Sequence, residues 1–311
     1  MEVGKVGLDT DGTRNTEFDD GTDGDVPMAD IAVAEENPPR NEHANGIRMV
    51  AAPWAEAKPE GWTRFVCFSD THGLHGRIPA KHLPAADVLL HAGDFTNTGE
   101  LEQVDSFSKW LEAYPAAHKV VIAGNHDITF DEYYYTSRGA LRFHPRREYD
   151  CTKVRGFLTG CTYLEDSAIE VAGYQIYGSP WQPAFCDWAF NLERGAECRK
   201  RWAMIPSDVD ILITHGPAAG HGDQCTTGMR VGCEDLLAEI KSRAVPVALA
   251  GHIHEGYGIS TDGVTSYLNA STCTHSYRPT NPPLVFDAPP VAMLREATVI
   301  AARAAGPIPS S

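Results

Sequence analysis

The sequence predicts an α/β fold, a sandwich of two mixed β-sheets flanked by helices. Three observations lead there. Short runs rich in Val, Ile and Leu recur along the chain, and each stops at a polar residue or a glycine, as buried strands do when they meet a turn. Between 64 and 127 the runs follow the order strand, loop, strand, helix, strand, which is the grammar of a largely parallel buried sheet. From 162 to 180 an alternating pattern broken at Gly173 reads as a hairpin of a second sheet.

Taken in order, residues 1–60 are rich in Asp, Glu, Gly, Asn and Pro and nearly free of large apolar side chains, so they are expected to be a disordered acidic segment. An acidic interaction tail is the functional alternative. A domain is expected over 61–290, with a C-terminal helix and tail over 291–311. Arg64 to Ser69 and Asp87 to Ala92 read as strands, and Leu101, Val104, Phe107 and Leu111 fall at helical spacing. Lys119 to Ala123 is a third strand. Residues 130–160 read as an irregular insertion carrying Arg138, Arg142, Arg146, Arg147, Lys153 and Arg155. That basic cluster is either a solvated loop offsetting nearby acid or a rim that draws in an anionic substrate. Helices are expected over 192–205 and 231–242, and further strands at 210–214 and 247–250. Asp262-Gly263 reads as a two-residue hairpin turn, and Met293 to Ala302 as a helix.

Composition excludes several function classes. A formal net charge of -16, from 42 acidic and 26 basic residues, disfavours binding to nucleic-acid polymers or anionic membranes. No apolar run reaches the roughly 18 residues that a membrane span needs. Eight scattered cysteines without a C-x-x-C pair, and no evident signal peptide, point to reduced thiols in a cytoplasmic protein. Asn269-Ala270-Ser271 is formally a glycosylation sequon, without meaning in that setting.

The chemistry gathers at strand ends. KVVIAGNHD, at 119–127, delivers Asn125, His126 and Asp127 directly after a strand and a glycine. A capped turn explains that cluster by itself. Four other strand ends do the same, supplying Asp70 and His72, Asp94, His215, and His252 with His254. In Asp-x-His and His-x-His, residues two apart on extended backbone point the same way and can face one ion. Carboxylate, imidazole and amide oxygen without thiolate suit Mn, Fe, Zn or Co and not a structural cysteine-type zinc site. The donors are too many for one transition metal and natural for two ions about 3.5–4 Å apart sharing a carboxylate, a device for in-line attack on phosphorus.

The ordered motifs D-x-H, G-D, G-N-H-D, H and G-H-x-H resemble those of the calcineurin-like metallophosphoesterases over residues 64 to about 270. FVCFSDTH, DVLLHAGDFTNTGE, YGSPWQP, DILITHGP and TNPPLVFD resemble the MPPED subgroup, whose members are phosphodiesterases acting on cyclic nucleotides. The resemblance implies that Asp70, His72 and His254 hold one metal, that Asn125, His215 and His252 hold the other, and that Asp94 bridges. His126 would be the non-ligand histidine that protonates the leaving group. Asp127 would either orient His126 or simply cap the turn. Two divalent transition-metal ions are implied, manganese or iron ahead of zinc, with a small phosphoester or nucleotide as substrate. Asn97-Thr98-Gly99 replaces the Asp-Arg-Gly of the Ser/Thr phosphoprotein phosphatases, which weakens that reading. A nucleotide phosphomonoesterase and a non-catalytic scaffold of the same fold are the alternatives. The sequence assigns no other substrate-binding residue and no oligomeric state.

Overall fold

The computed structural model describes residues 42–306. The first sheet places β1 (Arg48–Met49), β14 (Leu284–Ala288), β2 (Thr63–Phe68), β3 (Ala86–Ala92), β4 (Ala116–Ile122) and β5 (Thr162–Tyr163) side by side in that order. Strands β2 to β5 run parallel, with β14 and β1 added antiparallel at one edge. The second sheet has the order β12 (Gly258–Thr261), β13 (Ser266–Asn269), β11 (Val247–Ala250), β10 (Ile211–Thr214), β7 (Tyr174–Ser179) and β6 (Ser167–Val171). Its four central strands are parallel and each edge strand is antiparallel. Both sheets are therefore mixed, as the sequence predicts.

Strand alternation assigns each side chain to a layer. Phe65 and Cys67 of β2, Val88 and Leu90 of β3, and Val120 and Ile122 of β4 face Ile211, Ile213, Val247 and Leu249 in a core between the sheets. Their neighbours Val66, Phe68, Leu89 and Val121 point the other way, onto Val104, Phe107 and Leu111 of α1 (Leu101–Ala113). A strand buried on both faces loses the polar–apolar alternation, which is why these runs are continuously apolar in the sequence. Pro115 follows α1, and Tyr114 before it is already extended, so the helix stops there.

The 130–160 insertion is helical, not irregular. It contains α2 (Glu132–Tyr134), a π-helical turn (Tyr135–Gly139), α3 (Ala140–Phe143) and α4 (Cys151–Gly156). Tyr134, Tyr135 and Val154 anchor it in the core beneath β4. Such short helices hold by packing, so their periodicity is too brief to read from sequence. α5 (Ala196–Trp202) and α6 (Glu234–Arg243) cover the outer face of the second sheet through Trp202, Leu236 and Ile240. Both are shorter than expected: Leu192 belongs to β9 (Asn191–Leu192), paired with β8 (Gln182–Pro183), and the Cys233 thiol caps α6 by accepting from Leu236 N–H. α7 (Val291–Ala305) buries Leu294 in the inter-sheet core.

Two further expectations are corrected. Residues 42–60 are part of the domain: Ile47 is fully buried, β1 pairs with β14, and Arg48 and Arg64 both bind Asp287. A segment poor in apolar residues is held here by one buried isoleucine and a buried carboxylate. The remainder of the acidic segment, 1–41, and the tail at 307–311 lie outside the described residues. The β12–β13 connection is a four-residue loop, Thr261 facing Ser266, because Asp262 accepts from the N–H groups of Val264 and Thr265.

Candidate metal centre

The parallel strands of both sheets end at one rim of the sandwich, and their polar residues meet there. Asp70 and His72 follow β2, Asp94 follows β3, and Asn125 and His126 follow β4; His215 follows β10, and His252 and His254 follow β11. Asp70, His72 and His254 form one trio of donors lying within 4.8 Å of each other, and Asp94, His215 and His252 form another. A third trio, His72, Asp94 and His126, joins the two. The residues read as ligands are thus brought together, at the C-terminal ends of strands where open α/β sheets place their sites.

Backbone geometry shows how much structure is committed to this arrangement. Asp70, His72, Asp94 and His252 all have positive φ, at 51°, 42°, 56° and 66°. Each such residue costs about 1–3 kcal/mol and persists only where its surroundings over-determine it. Asp70 N–H donates to Gly93 O and His72 N–H to Asp94 O, both at 2.9 Å, which hold the first two turns. The glycines of the motifs allow close approach. A Cβ on Gly124 would lie 2.6 Å from the Asp94 backbone nitrogen, and one on Gly251 would lie 2.6 Å from Ser69 Cβ.

Hydrogen bonds set the direction of several donors. The Asp94 Oδ1 atom accepts from His126 N–H at 2.8 Å, which leaves Oδ2 at 3.3 Å from His215 Nε2 and 3.9 Å from His72 Nε2. That oxygen stands between the two trios. His215 donates Nδ1–H to Ala92 O at 2.8 Å, and His254 donates Nδ1–H to Thr274 O at 3.0 Å, so each turns Nε2 into the cluster. The Asn125 Oδ1 atom lies 3.0 Å from His215 Nε2. Asp70 accepts from His252 N–H and from Ser271 Oγ.

Charge points to cations. Asp70 and Asp94 are buried, and among the described residues neither accepts from a lysine or an arginine. Burial opposes their ionisation, yet the facing histidines hold both well below the ordinary carboxylate range. Burial pushes His72 and His252 down to about 3, so both are neutral and available as donors. His215 and His254 go the other way: burial lowers both, but Asp94 outweighs that at His215 and raises it to about 9, and the hydrogen bond to Asp70 raises His254. The His72 Nδ1 atom is buried without a hydrogen-bond partner, while its Nε2 lies 3.2 Å from His254 Nε2. Buried anions met by imidazoles, backbone N–H groups and one hydroxyl, and by no lysine or arginine among the described residues, fit divalent metal ions.

Of the two roles expected of Asp127, its hydrogen bonds fit the cap and not the orientation of His126. Its carboxylate accepts from the N–H groups of Gly124, Asp94, Phe95 and Thr96 and from Thr96 Oγ1. His126 sends its ring Nδ1–H to Asn97 O instead, at 2.9 Å. Asp127 therefore ties the β3 and β4 loops together, and burial together with the Asp94 charge pushes it up to about 7. The arginines of the insertion are mostly paired with acid: Arg138 and Arg142 with Asp187, Arg147 with Glu102, Arg155 with Glu165. They form no free basic rim.

Several residues that matter here lie outside the ligand motifs. A cavity of about 520 Å3 opens beside the cluster, lined by Phe185, Trp188, Tyr277 and Ile253 among others. Ser271 and Asn269 belong to the formal sequon, yet both are buried; Asn269 Nδ2 donates to Gly222 O and Ile253 O and so holds the His252–His254 turn. The available signal was a pair of polar residues two apart, Asn269 and Ser271, at the end of a buried strand, the same pattern as the ligand motifs. A fourth grouping, Cys198, Cys233 and Asp235, lies outside the second sheet. Two of its three members are already engaged, Cys233 by Trp202 Nε1–H and Asp235 by Arg199 and Gly195 N–H.

No helix of the described residues is long and apolar enough to cross a membrane. The profile of the calcineurin-like phosphoesterases matches residues 63–256, which contain every residue from Asp70 to His254. Metallophosphoesterase domain-containing protein 1 of Homo sapiens is 47% identical over 257 residues, covering 78% of this chain and 76% of that protein, and its Mus musculus counterpart gives the same figures. A UPF0046 protein of Caenorhabditis elegans is 41% identical over 239 residues, covering 73% of this chain and 60% of that protein. The chain belongs to the calcineurin-like phosphoesterase family.

Proposed function

We propose that this chain is a phosphodiesterase that uses two divalent ions, with manganese or iron ahead of zinc, to hydrolyse small phosphodiesters such as cyclic nucleotides. Asp70, His72 and His254 would hold one ion and Asn125, His215 and His252 the other, with Asp94 shared. The observation that carries this reading is the position of Asp94 Oδ2 between His72 and His215, its partner oxygen being taken by a backbone N–H. When bound, the ions supply Lewis-acid charge against the phosphoryl oxygens and bring the pKa of a water into the neutral range.

The chain's own residues supply the rest. His126 lies at the cavity wall with Nδ1–H engaged by Asn97 O, so Nε2 is the atom that delivers a proton to the departing alkoxide. Asp127 is proposed as the tie that fixes the loops bearing Asp94 and Asn125. The cavity favours a diester over a polyanion. Its aromatic wall suits a flat group, and the Arg194 guanidinium already donates to Val231 O and Gly232 O. The eight free thiols fit a cytoplasmic setting, and the strongly acidic chain argues against nucleic-acid polymers as substrates.

Leaving-group dependence tests the reading. His126→Ala should retain its metals and slow hydrolysis of an alkyl phosphodiester or a 3′,5′-cyclic nucleotide by about 10²–10⁴-fold. The loss should be much smaller for a nitrophenyl ester, which departs without protonation. Equal losses on both would make His126 an electrostatic clamp on the phosphoryl oxygens. A wild-type protein that binds metal but hydrolyses neither ester would leave the scaffold reading.

A further inference from the structure

The arginines of the helical insertion have no part in the chemistry above, yet two of them converge on one residue beside the cavity. Arg138 and Arg142 reach the two carboxylate oxygens of Asp187 at 3.0 and 3.2 Å, and Tyr134 OH donates to Asp187 O at 2.6 Å. The next residue is Trp188. Its ring lies against the His126 imidazole, with centroids 4.1 Å apart and planes inclined by 30°. It also packs against Phe143 of the same insertion, with centroids 4.6 Å apart. His126 is otherwise held by the Asn97 hydrogen bond at one ring edge and an edge-on contact with His72 at 4.7 Å.

We infer that Trp188 is a positioning residue for His126 and that the helical insertion exists to hold Trp188 in place. One hydrogen bond fixes where Nδ1 points but leaves the imidazole free to tilt about it. A flat ring stacked on one face removes that freedom and keeps Nε2 directed into the cavity. Trp188 sits in the 184–190 loop between β8 and β9, which has no regular structure of its own. Its placement comes from its neighbours: Asp187 is clamped by the two arginines, Phe190 N–H donates to Asp131 Oδ2 at the start of the insertion, Gln182 Nε2 donates to Ala189 O, and Phe143 packs on the Trp188 ring. The clamp is partly exposed, with side-chain exposures of 61%, 46% and 41% for Arg138, Arg142 and Asp187, so each ion pair contributes modestly. Their basic character serves this loop and not the attraction of substrate.

The inference rests on the proposed hydrolase reading for its kinetic arm only. In zinc-loaded and in metal-free protein, the His126 ring protons should be shifted upfield by Trp188 in the NMR spectrum and should move downfield in Trp188→Leu. In the metal-loaded enzyme, Trp188→Leu should lower kcat on an alkyl phosphodiester by about 10–100-fold with metal content unchanged. Trp188→Phe should restore most of it. The Arg138→Gln/Arg142→Gln pair lies outside the cavity lining. It should lower kcat by about 2–5-fold without raising KM and should move the same ring signals part of the way. Unmoved ring signals in Trp188→Leu, or an unchanged kcat in both Trp188→Leu and the arginine pair, overturns the inference. If Trp188→Leu does not fold, the arginine pair and Trp188→Phe decide it by the same readouts. If wild-type protein hydrolyses no phosphoester, the hydrolase reading fails and the ring signals still decide whether Trp188 and its clamp position His126.

Discussion

The two sheets contribute to the cluster unequally. The first supplies both carboxylates and the amide, Asp70, Asp94 and Asn125, with His72 and His126; the second supplies only imidazoles, His215, His252 and His254. One residue of each contribution is oriented by the opposite sheet. Asp70 accepts from the backbone N–H of His252 after β11, and His215 donates to the carbonyl of Ala92 on β3. Anions are held by N–H groups and imidazoles by carbonyls, as their hydrogen-bonding chemistry requires. Neither half of the centre is formed until the core between the sheets is packed. The first sheet sets the charge of the site, and the second adjusts how tightly that charge is used.

The largest expected effect tests the first sheet. Asp94→Asn should lose both metals and nearly all activity, because removing one partner of a buried charged group costs about 3–5 kcal/mol and this one faces both trios. Elemental analysis showing two metals still bound would end the shared-carboxylate assignment. His252→Ala tests the second sheet and should do less: metal content should fall at one position, with partial recovery in excess Mn²⁺. Equal and unrecoverable loss in both variants would show that the sheets do not divide the work in this way.

Asp127→Asn should have a smaller and different effect. Asparagine offers one acceptor oxygen where four N–H groups and a hydroxyl now converge, so the β3 and β4 loops should loosen. Metal affinity should weaken by about 10–100-fold, as for residues that orient ligands from behind. Once saturated with metal, the variant should keep the wild-type dependence on leaving group, unlike His126→Ala. A loss confined to poor leaving groups would instead return Asp127 to the proton-transfer chemistry.

The smallest effect on the centre is expected at the far edge of the first sheet. A chain beginning at Trp62 lacks β1, Ile47 and the Arg48–Asp287 pair, and should lose at least about 3 kcal/mol of stability through the buried isoleucine. Metal stoichiometry should be unchanged at low temperature. An unaltered melting temperature would show that residues 42–61 merely lie on the domain.

Much of this protein is legible in its sequence because its chemistry sits where buried strands end. A run such as Lys119–Ala123 must stop at a turn, and the polar residues placed there stand out against an apolar background. The five strand ends and the two sheets follow from that contrast, whereas the division of the donors between two ions is what the family resemblance implies. Spacing alone does not give it, since His252 and His254 fall in different trios. What the tertiary structure alone decided depends on contacts between distant segments. Asp127 adjoins His126 in sequence, yet its carboxylate is claimed by the loop around Asp94. Ser271 reaches Asp70 across 201 residues, and Trp188 stacks on His126 from a loop 62 positions further along the chain. Local pattern records which side chains a strand delivers. Which of them bind, support or cap depends on how the two sheets pack, and a hydrogen-bond acceptor goes to whichever donors that packing brings within reach.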